Sequence, residues 1–272
     1  MAKHLVAKGH SVVGYDPNTP EAGDLGIELR PSPASVASTT ELIFIVVGFD
    51  EEVLQACLGP DGVLAGAKPG TVLVVCSTVR VQTVAALRAP ASEAGVELLD
   101  APLCRAEHAA VAGDLLVLVG GDQETYVRAE PAMQAFATDI AYLGPLGAGQ
   151  IGKMVNNYLL WATVVANYEG LRLGQAAGLE LEPLRRALLV SSAANWALET
   201  WPKGRPMPWA EKDMQIFLDQ AEQLSLGLPM AGLVRGEITD LRARKEEWRT
   251  MKGVPSGGDA DSMLAYMSDT PP

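Results

Sequence analysis

From Gly149 to about Ala177 the chain runs without a proline, and its opening reads Gly147-Ala-Gly-Gln-Ile-Gly-Lys-Met-Val-Asn-Asn157. The spacing predicts one long helix. Lys153, Asn156 and Asn157 then stand at i, i+3 and i+4 on a single face, one turn inside it. Beyond Tyr158 the helix is apolar nearly all round (Leu159, Leu160, Trp161, Val164, Val165), so it must be buried. The rest of the chain has to be organised around that element. A lysine and two carboxamides where a buried helix enters a core make a candidate active site, although a lone lysine near a helix start is as often simply solvated.

Gly147, Gly149 and Gly152 also spell Gly-x-Gly-x-x-Gly, the wording of a dinucleotide phosphate loop. That loop needs a strand before it and a strand–helix–strand unit after it, with an acid at the next strand's end. Here more helical sequence follows, Glu182–Val190. These glycines are expected instead to let the backbone approach a ligand or a neighbouring element closely.

Upstream the pattern is different. A short helix over Met1–Gly9 leads to a buried strand, Ser11–Tyr15, closed by Asp16-Pro17-Asn18. Helical sequence near Ser35, strand Leu42–Val47 and a helix opened by Asp50-Glu51-Glu52 come next, the acids suiting the positive end of a helix dipole. Strands Thr71–Val75, Val96–Leu99, Leu115–Val119 and Ile140–Leu143 follow, with helices Val79–Gly95 and Gln123–Phe136 between them. Such alternation means an α/β layer with a mainly parallel sheet. After Gly144-Pro-Leu-Gly147 only helices are expected, near 149–177, 182–189, 211–225, 229–245 and 261–266. The fold class is α/β: a Rossmann-like domain over 1–145 and an all-helical one over 146–272.

Charge narrows the partners. A net charge of −12 and a pI near 4.7 argue against nucleic acid or an anionic membrane. The longest apolar run, Leu42–Phe49, is too short to span a bilayer. Three widely spaced cysteines give neither a disulfide framework nor a zinc pattern, and the three histidines suggest no metal site. With no signal peptide visible, a cytoplasmic protein is expected.

The order and wording of several motifs resemble the β-hydroxyacid dehydrogenase family, the 3-hydroxyisobutyrate and tartronate-semialdehyde reductase group related to 6-phosphogluconate dehydrogenase. The resemblance runs through Gly14-Tyr-Asp-Pro-Asn18, Cys76-Ser-Thr78, Asp100-Ala-Pro102, Gly113–Gly121, Gly147–Asn157 and Lys212-Asp213. It covers nearly the whole chain, and Gly-x-Gly-x-x-x-Lys-x-x-Asn-Asn is its most specific block. In the family a Gly-rich loop runs straight into a segment like Met1–Leu5, which implies that the first strand and that loop fall before residue 1 and that the sheet lacks its first strand.

The resemblance implies reversible, NAD-dependent oxidation of a small carboxylic acid bearing a 3-hydroxyl, in a homodimer. Lys153 would be the catalytic lysine and Asn157 its neighbour at the substrate oxygen, with Asn156 beside the substrate. Asp16, Val47-Gly48, Thr78 and Lys212 fall where the family contacts the cofactor. Asp16 favours NAD, since a carboxylate accepts from ribose hydroxyls, while Asn18 and Thr19 leave NADP possible; without the resemblance, Asp-Pro is a plain turn. The substrate loop departs from the family pattern. Ser-Gly-Gly is usual there, and this chain has Cys104-Arg105-Ala106. Losing two glycines should restrict the loop. Arg105 is either a bidentate carboxylate clamp or a solvated charge. Trp196 and Trp209 are expected to help exclude water. The alternatives are imine reduction on the same scaffold, which Lys153 argues against, and a non-catalytic binding protein on a truncated dehydrogenase fold.

Overall fold

In the computed structural model, residues 1–19, 23, 26–203, 207–257 and 259–270 are described. Two compact units emerge, Met1–Lys153 and Met154–Pro272. The first holds α1 (Ala2–Ala7), β1 (Val13–Gly14), β2 (Glu28–Leu29), α2 (Pro33–Ala37), β3 (Leu42–Ile45), α3 (Asp50–Leu58) and α4 (Val63–Gly66). It continues through β4 (Val72–Val75), α5 (Val81–Glu93), β5 (Glu97–Asp100), β6 (Leu103–Cys104), α6 (Ala106–Ala112), β7 (Leu115–Gly121), α7 (Gln123–Met133) and β8 (Ala137–Gly144).

Strand β4 shows why this unit is α/β. All four of its residues are buried, Val72 and Val74 in one apolar cluster and Leu73 and Val75 in another. Side chains alternate across a strand, so a continuous apolar run means a sheet covered on both faces. Leu99, Val117, Val119 and Phe136 join the first cluster, and Ile43, Ile45, Val53 and Leu87 join the second. Strands β3, β4 and β5 pair in parallel, as does β8 with β7, while β7 runs antiparallel to both β5 and β6.

Strand β1 pairs in parallel with β2, and those two form a sheet of their own. Among the described residues no strand joins them to the six-stranded sheet that starts at β3. The strand expected over Ser11–Tyr15 is present as Val13–Gly14, and among the described residues β2 is its only partner. Leu5 and Val12 still pack into the cluster shared by β4, β5 and β7.

The second unit is helical. Helix α8 (Ala148–Ala176) starts in the first unit, and α9 (Leu181–Leu189), α10 (Trp196–Glu199), α11 (Ala210–Gln223), α12 (Pro229–Lys252) and α13 (Met263–Asp269) follow. Its core gathers Trp161, Val164, Val165, Tyr168 and Leu171 of α8 with Trp201, Met214, Ile238, Leu241 and Trp248. The units divide at 153/154, eight residues past the expected 145/146, because polar contacts described below tie the first turns of α8 to the sheet. No described helix is long and apolar enough to cross a membrane, and the described residues hold no His/Cys/Asp/Glu cluster that could bind a metal.

Candidate active site

Asp100 ends β5 with its side chain fully buried. Its Oδ1 accepts from the Gly147 amide at 2.7 Å and its Oδ2 from the Gln150 amide at 2.7 Å. These are N–H groups that a helix start leaves without partners, and a carboxylate also suits the positive end of the dipole. Burial pushes the Asp100 carboxyl above its usual range, although the backbone amides pull it back. Gln150, also fully buried, extends the anchor: its Oε1 accepts from the Val79 amide at 3.1 Å and its Nε2 donates to the Ser77 carbonyl at 2.9 Å. The start of α8 is thus fastened to the loops that leave β4 and β5.

The glycines of this stretch allow that approach. A Cβ on Gly149 would lie 2.4 Å from the Leu118 carbonyl oxygen, and one on Gly120 would lie 2.5 Å from Asp100 Oδ1. Neither position tolerates a side chain while helix and sheet stay this close. The glycines serve the contact between helix and sheet, as the context of the motif suggested.

Lys153 follows, half-buried, with Nζ 3.8 Å from Sγ of Cys104, the last residue of β6. Cys104 is 3% exposed. Burial raises its thiol pKa, and the nearby Lys153 and Arg105 charges work against that. Burial of this kind disfavours the thiolate that a cysteine nucleophile needs. Further along the same helix, Asn156 donates to Asn157 Oδ1 at 3.0 Å, and Asn157 is buried.

Arg105 and Ala106 have φ of 81° and 62°. Both therefore adopt the left-handed conformation that glycine takes freely and that costs other residues roughly 1–2 kcal/mol. The substrate loop keeps a glycine-type path without its glycines, contrary to the expected restriction. The clamp expected of Arg105 is engaged by the chain's own groups. Nη1 donates to the Asp114 carbonyl at 3.2 Å, Asp114 Oδ1 at 3.1 Å and Thr138 Oγ1 at 2.9 Å, and Nη2 donates to Asp139 Oδ2 at 2.6 Å.

The residues expected at the cofactor follow the carboxyl ends of parallel strands, where ligands of such sheets bind. Asp16 lies two residues past β1, Val47-Gly48 follow β3, and Thr78 follows β4. The Asp16 carboxylate is exposed and accepts from the Asn18 amide at 2.8 Å and Thr19 Oγ1 at 3.1 Å, so the plain turn is present as well. The Val47 amide donates to Ser77 Oγ at 2.8 Å, while Glu52 Oε2 accepts from the Gly48 and Phe49 amides at 2.7 and 3.1 Å. Tyr15, Val46 and Phe49 leave large apolar surfaces exposed beside these polar groups. An acceptor with spare lone pairs beside the exposed Tyr15 ring in the chain suits the adenosine half of a dinucleotide. In the second unit Lys212 Nζ stands 5.0 Å over the Trp209 ring, and Trp161 Nε1 donates to Asp213 at 3.4 Å. Trp196 and Trp209 are both more than a third exposed.

The contributions of Asp100 and Gln150 escaped the sequence reading, since their partners stand 47 to 73 residues away. The available signal was Asp100 itself, an acid ending an apolar strand.

Comparison with known proteins completes the assignment. The NAD-binding domain of 6-phosphogluconate dehydrogenase matches residues 1–144, and the domain described as NAD-binding of NADP-dependent 3-hydroxyisobutyrate dehydrogenase matches residues 147–252. An NAD-dependent L-serine dehydrogenase of Pseudomonas aeruginosa is 33% identical, over 84% of this chain and 79% of its own. A 3-hydroxyisobutyrate dehydrogenase of the same organism is 30% identical, over 86% and 85%. The structure of Mycobacterium tuberculosis 3-hydroxyisobutyrate dehydrogenase with L-serine superposes with a TM-score of 0.79 at 26% identity, covering 89% of each chain. With the Gly-x-Gly-x-x-x-Lys-x-x-Asn-Asn helix anchored on the sheet and both halves of the chain matched, this protein belongs to the β-hydroxyacid dehydrogenase family, the NAD(P)-dependent oxidoreductases of 3-hydroxyisobutyrate dehydrogenase type.

Proposed function

We propose that the chain interconverts a small 3-hydroxy acid and its semialdehyde, with Lys153 exchanging the proton at the reacting oxygen. The observation that carries this is the Lys153 ammonium, half-buried and 3.8 Å from the Cys104 thiol of the substrate loop, on a helix whose start is fixed by Asp100. The relatives suggest the substrate class. L-Serine, 3-hydroxyisobutyrate and the 2-(hydroxymethyl)glutarate of a 28% identical Eubacterium barkeri dehydrogenase all carry a hydroxymethyl group on the carbon that bears a carboxylate.

When bound, the nicotinamide supplies or accepts hydride at the carbinol carbon, so the protein's tasks are binding, orientation and proton exchange. Asp16 takes the ribose hydroxyls, and the apolar surfaces of Tyr15, Val46 and Phe49 take the adenine. Lys153 donates to the carbonyl oxygen in reduction and accepts the hydroxyl proton in oxidation. Asn157, one turn further along the helix, orients the lysine or hydrogen-bonds the substrate hydroxyl. We further propose a homodimer, since Ile151, Val155 and Leu159 expose an apolar stripe at i, i+4 and i+8.

Steady-state kinetics of Lys153→Ala on a panel of short 3-hydroxy acids test the reading. Turnover should fall by roughly 10²–10⁴-fold, the usual share of general acid–base catalysis, while NADH affinity holds. Lys153→Arg should not restore it, because guanidinium stays protonated. A fully active Lys153→Ala would remove the lysine from the mechanism.

A further inference from the structure

We infer that Arg105 is a positioning residue of the substrate loop: bound to Asp114, Thr138 and Asp139, its guanidinium holds a left-handed turn that sets Cys104 against Lys153. The inference rests on the proposed role of Lys153, but its test can fail separately.

The geometry carries the argument. Strand β6 has two residues, Leu103 and Cys104, each paired with β7 at Val117 and Leu116. So short a pairing does little to fix the chain that leaves it. The next two residues, Arg105 and Ala106, both take positive φ, Arg105 as the N-cap and Ala106 as the first residue of α6. A glycine pair would adopt this path at no steric cost, and an arginine–alanine pair adopts it against its own preference. Something outside the turn has to hold it. Among the contacts shown, the Arg105 side chain is the hold: it reaches Asp114 at the start of β7 and Thr138 and Asp139 in β8. Thr138 Oγ1 also bonds both carboxylates, so the two strands present one joined acceptor.

The direction of the side chain matters equally. Both terminal nitrogens, Nη1 and Nη2, are directed to the protein, two of the acceptors being carboxylates at 3.1 and 2.6 Å. Clamping a substrate carboxylate with both terminal nitrogens instead would mean leaving both. A planar fork suits holding two acids in fixed positions, whereas an ammonium is a single point of charge. Arg105 thereby replaces, with a side-chain tether, the freedom that two glycines would give this turn. The price is a loop with one shape, which restricts the substrates it can meet.

The test compares Arg105→Ala, Arg105→Gly and Asp139→Asn in the full-length chain. Two readings are taken: site-resolved alkylation of Cys104 by a small maleimide, and kcat and KM for a 3-hydroxy acid with NADH affinity measured alongside. The fully buried Cys57 and the buried Cys76 report unfolding within the same experiment. Arg105→Ala and Asp139→Asn should each raise Cys104 alkylation about tenfold, with Cys57 and Cys76 unchanged. Both should lower kcat/KM about tenfold through kcat as well as KM, at unchanged NADH affinity. Arg105→Gly should fall between wild type and Arg105→Ala, since glycine accepts the turn but lacks the tether. A rise in KM alone for Arg105→Ala, with Asp139→Asn like wild type, would make Arg105 a substrate clamp and overturn the inference. Unchanged Cys104 alkylation in both variants would overturn it whatever the kinetics. If instead the alkylation pattern holds and Lys153→Ala stays active, only the role of Lys153 falls.

Discussion

The two units bury polar groups in different ways. In the first, Asp100 and Gln150 bond mainly to backbone, Asp100 to the Gly147 and Gln150 amides and Gln150 to Val79 and Ser77, while Asp50 takes the Arg80 amide at 2.9 Å together with the Arg80 guanidinium and the Thr83 hydroxyl. In the second, the buried charges chiefly meet side chains, Lys245 with Asp261 and Asp213 with Trp161, although Asp261 also takes the Gly257 amide and Arg185 reaches the Leu198 carbonyl. The difference follows from the secondary structure. Loops at the ends of parallel strands expose backbone groups that must find partners, and satisfying them with rigid side chains also fixes where a catalytic residue stands. Helices satisfy their own backbone, so their buried polar groups lock element to element instead.

The largest expected effect breaks this contrast if it is wrong. Asp100→Ala leaves two buried amides without an acceptor, each worth about 1–3 kcal/mol, partly offset by no longer burying a charge. We expect a net loss of ~2–4 kcal/mol in urea denaturation, with activity falling further because the Lys153 end of α8 loosens. No second substitution should repair it, since the partners are backbone. Lys245→Met and Asp261→Leu behave differently. Each alone strands a buried charge, which costs about 3–5 kcal/mol, but together they should cost less than either. The Gly257 amide, 3.0 Å from Asp261 Oδ2, keeps the double variant from being neutral. Additive losses for the pair would erase the distinction.

A smaller effect sharpens the contrast within the first unit. Asp16 is exposed and bonded to its own turn, so it contributes little to the fold and is available to a ligand. A carboxylate can accept about four hydrogen bonds, and the turn uses two. Asp16→Ala should leave thermal stability near wild type and shift selectivity from NADH toward NADPH by about tenfold, equivalent to about 1.4 kcal/mol. Competition binding of the two cofactors measures it. An unchanged ratio would return Asp16 to a turn residue alone.

Much of this was open to view in the sequence, and what was hidden has a physical reason. The helix carrying Lys153 announced itself by its period and its lack of proline, and β4 by four successive apolar residues. Strand β6 and helix α6 were not visible, because Arg105 and Ala106 disguise a turn that glycine would have signalled. Short elements such as β2 and α10 offer too few residues to show a period. The anchor at Asp100 depends on contacts 47 and 50 residues away in the chain, which no local pattern encodes. Arg105 looked free for a substrate because its acids, Asp114 and Asp139, come close only when β7 and β8 pair.

The smallest effect concerns Glu182, and its sign against pH separates it from Asp100. The Glu182 carboxylate accepts from Arg185 Nε at 2.7 Å and Nη2 at 2.8 Å, and from Arg186 Nε at 2.9 Å. Chiefly through Arg185, its pKa falls from 4.5 to about 2. A carboxyl whose pKa is depressed by folding stabilises the folded state above its unfolded value and loses that contribution as pH falls through its folded one. The contacts are partly solvated, so the contribution is no more than about 1 kcal/mol. Asp100 has the opposite slope. Burial raises its pKa, so the fold binds its proton more tightly than the unfolded chain does, and its contribution weakens as pH rises through the folded value. Thermal denaturation of wild type, Glu182→Gln and Asp100→Asn between pH 3 and pH 7, a range set around these carboxyl values, compares them directly. On acidification below about 4.5 the gap between wild type and Glu182→Gln should narrow. The gap between wild type and Asp100→Asn should widen as pH falls towards 3.8, the ordinary value from which burial raises the Asp100 carboxyl, and stay level below it. A widening gap for Glu182→Gln would mean that Arg185 and Arg186 do not hold the carboxylate ionised, and that the second unit's side-chain pairs are not the locks that set it apart from the first.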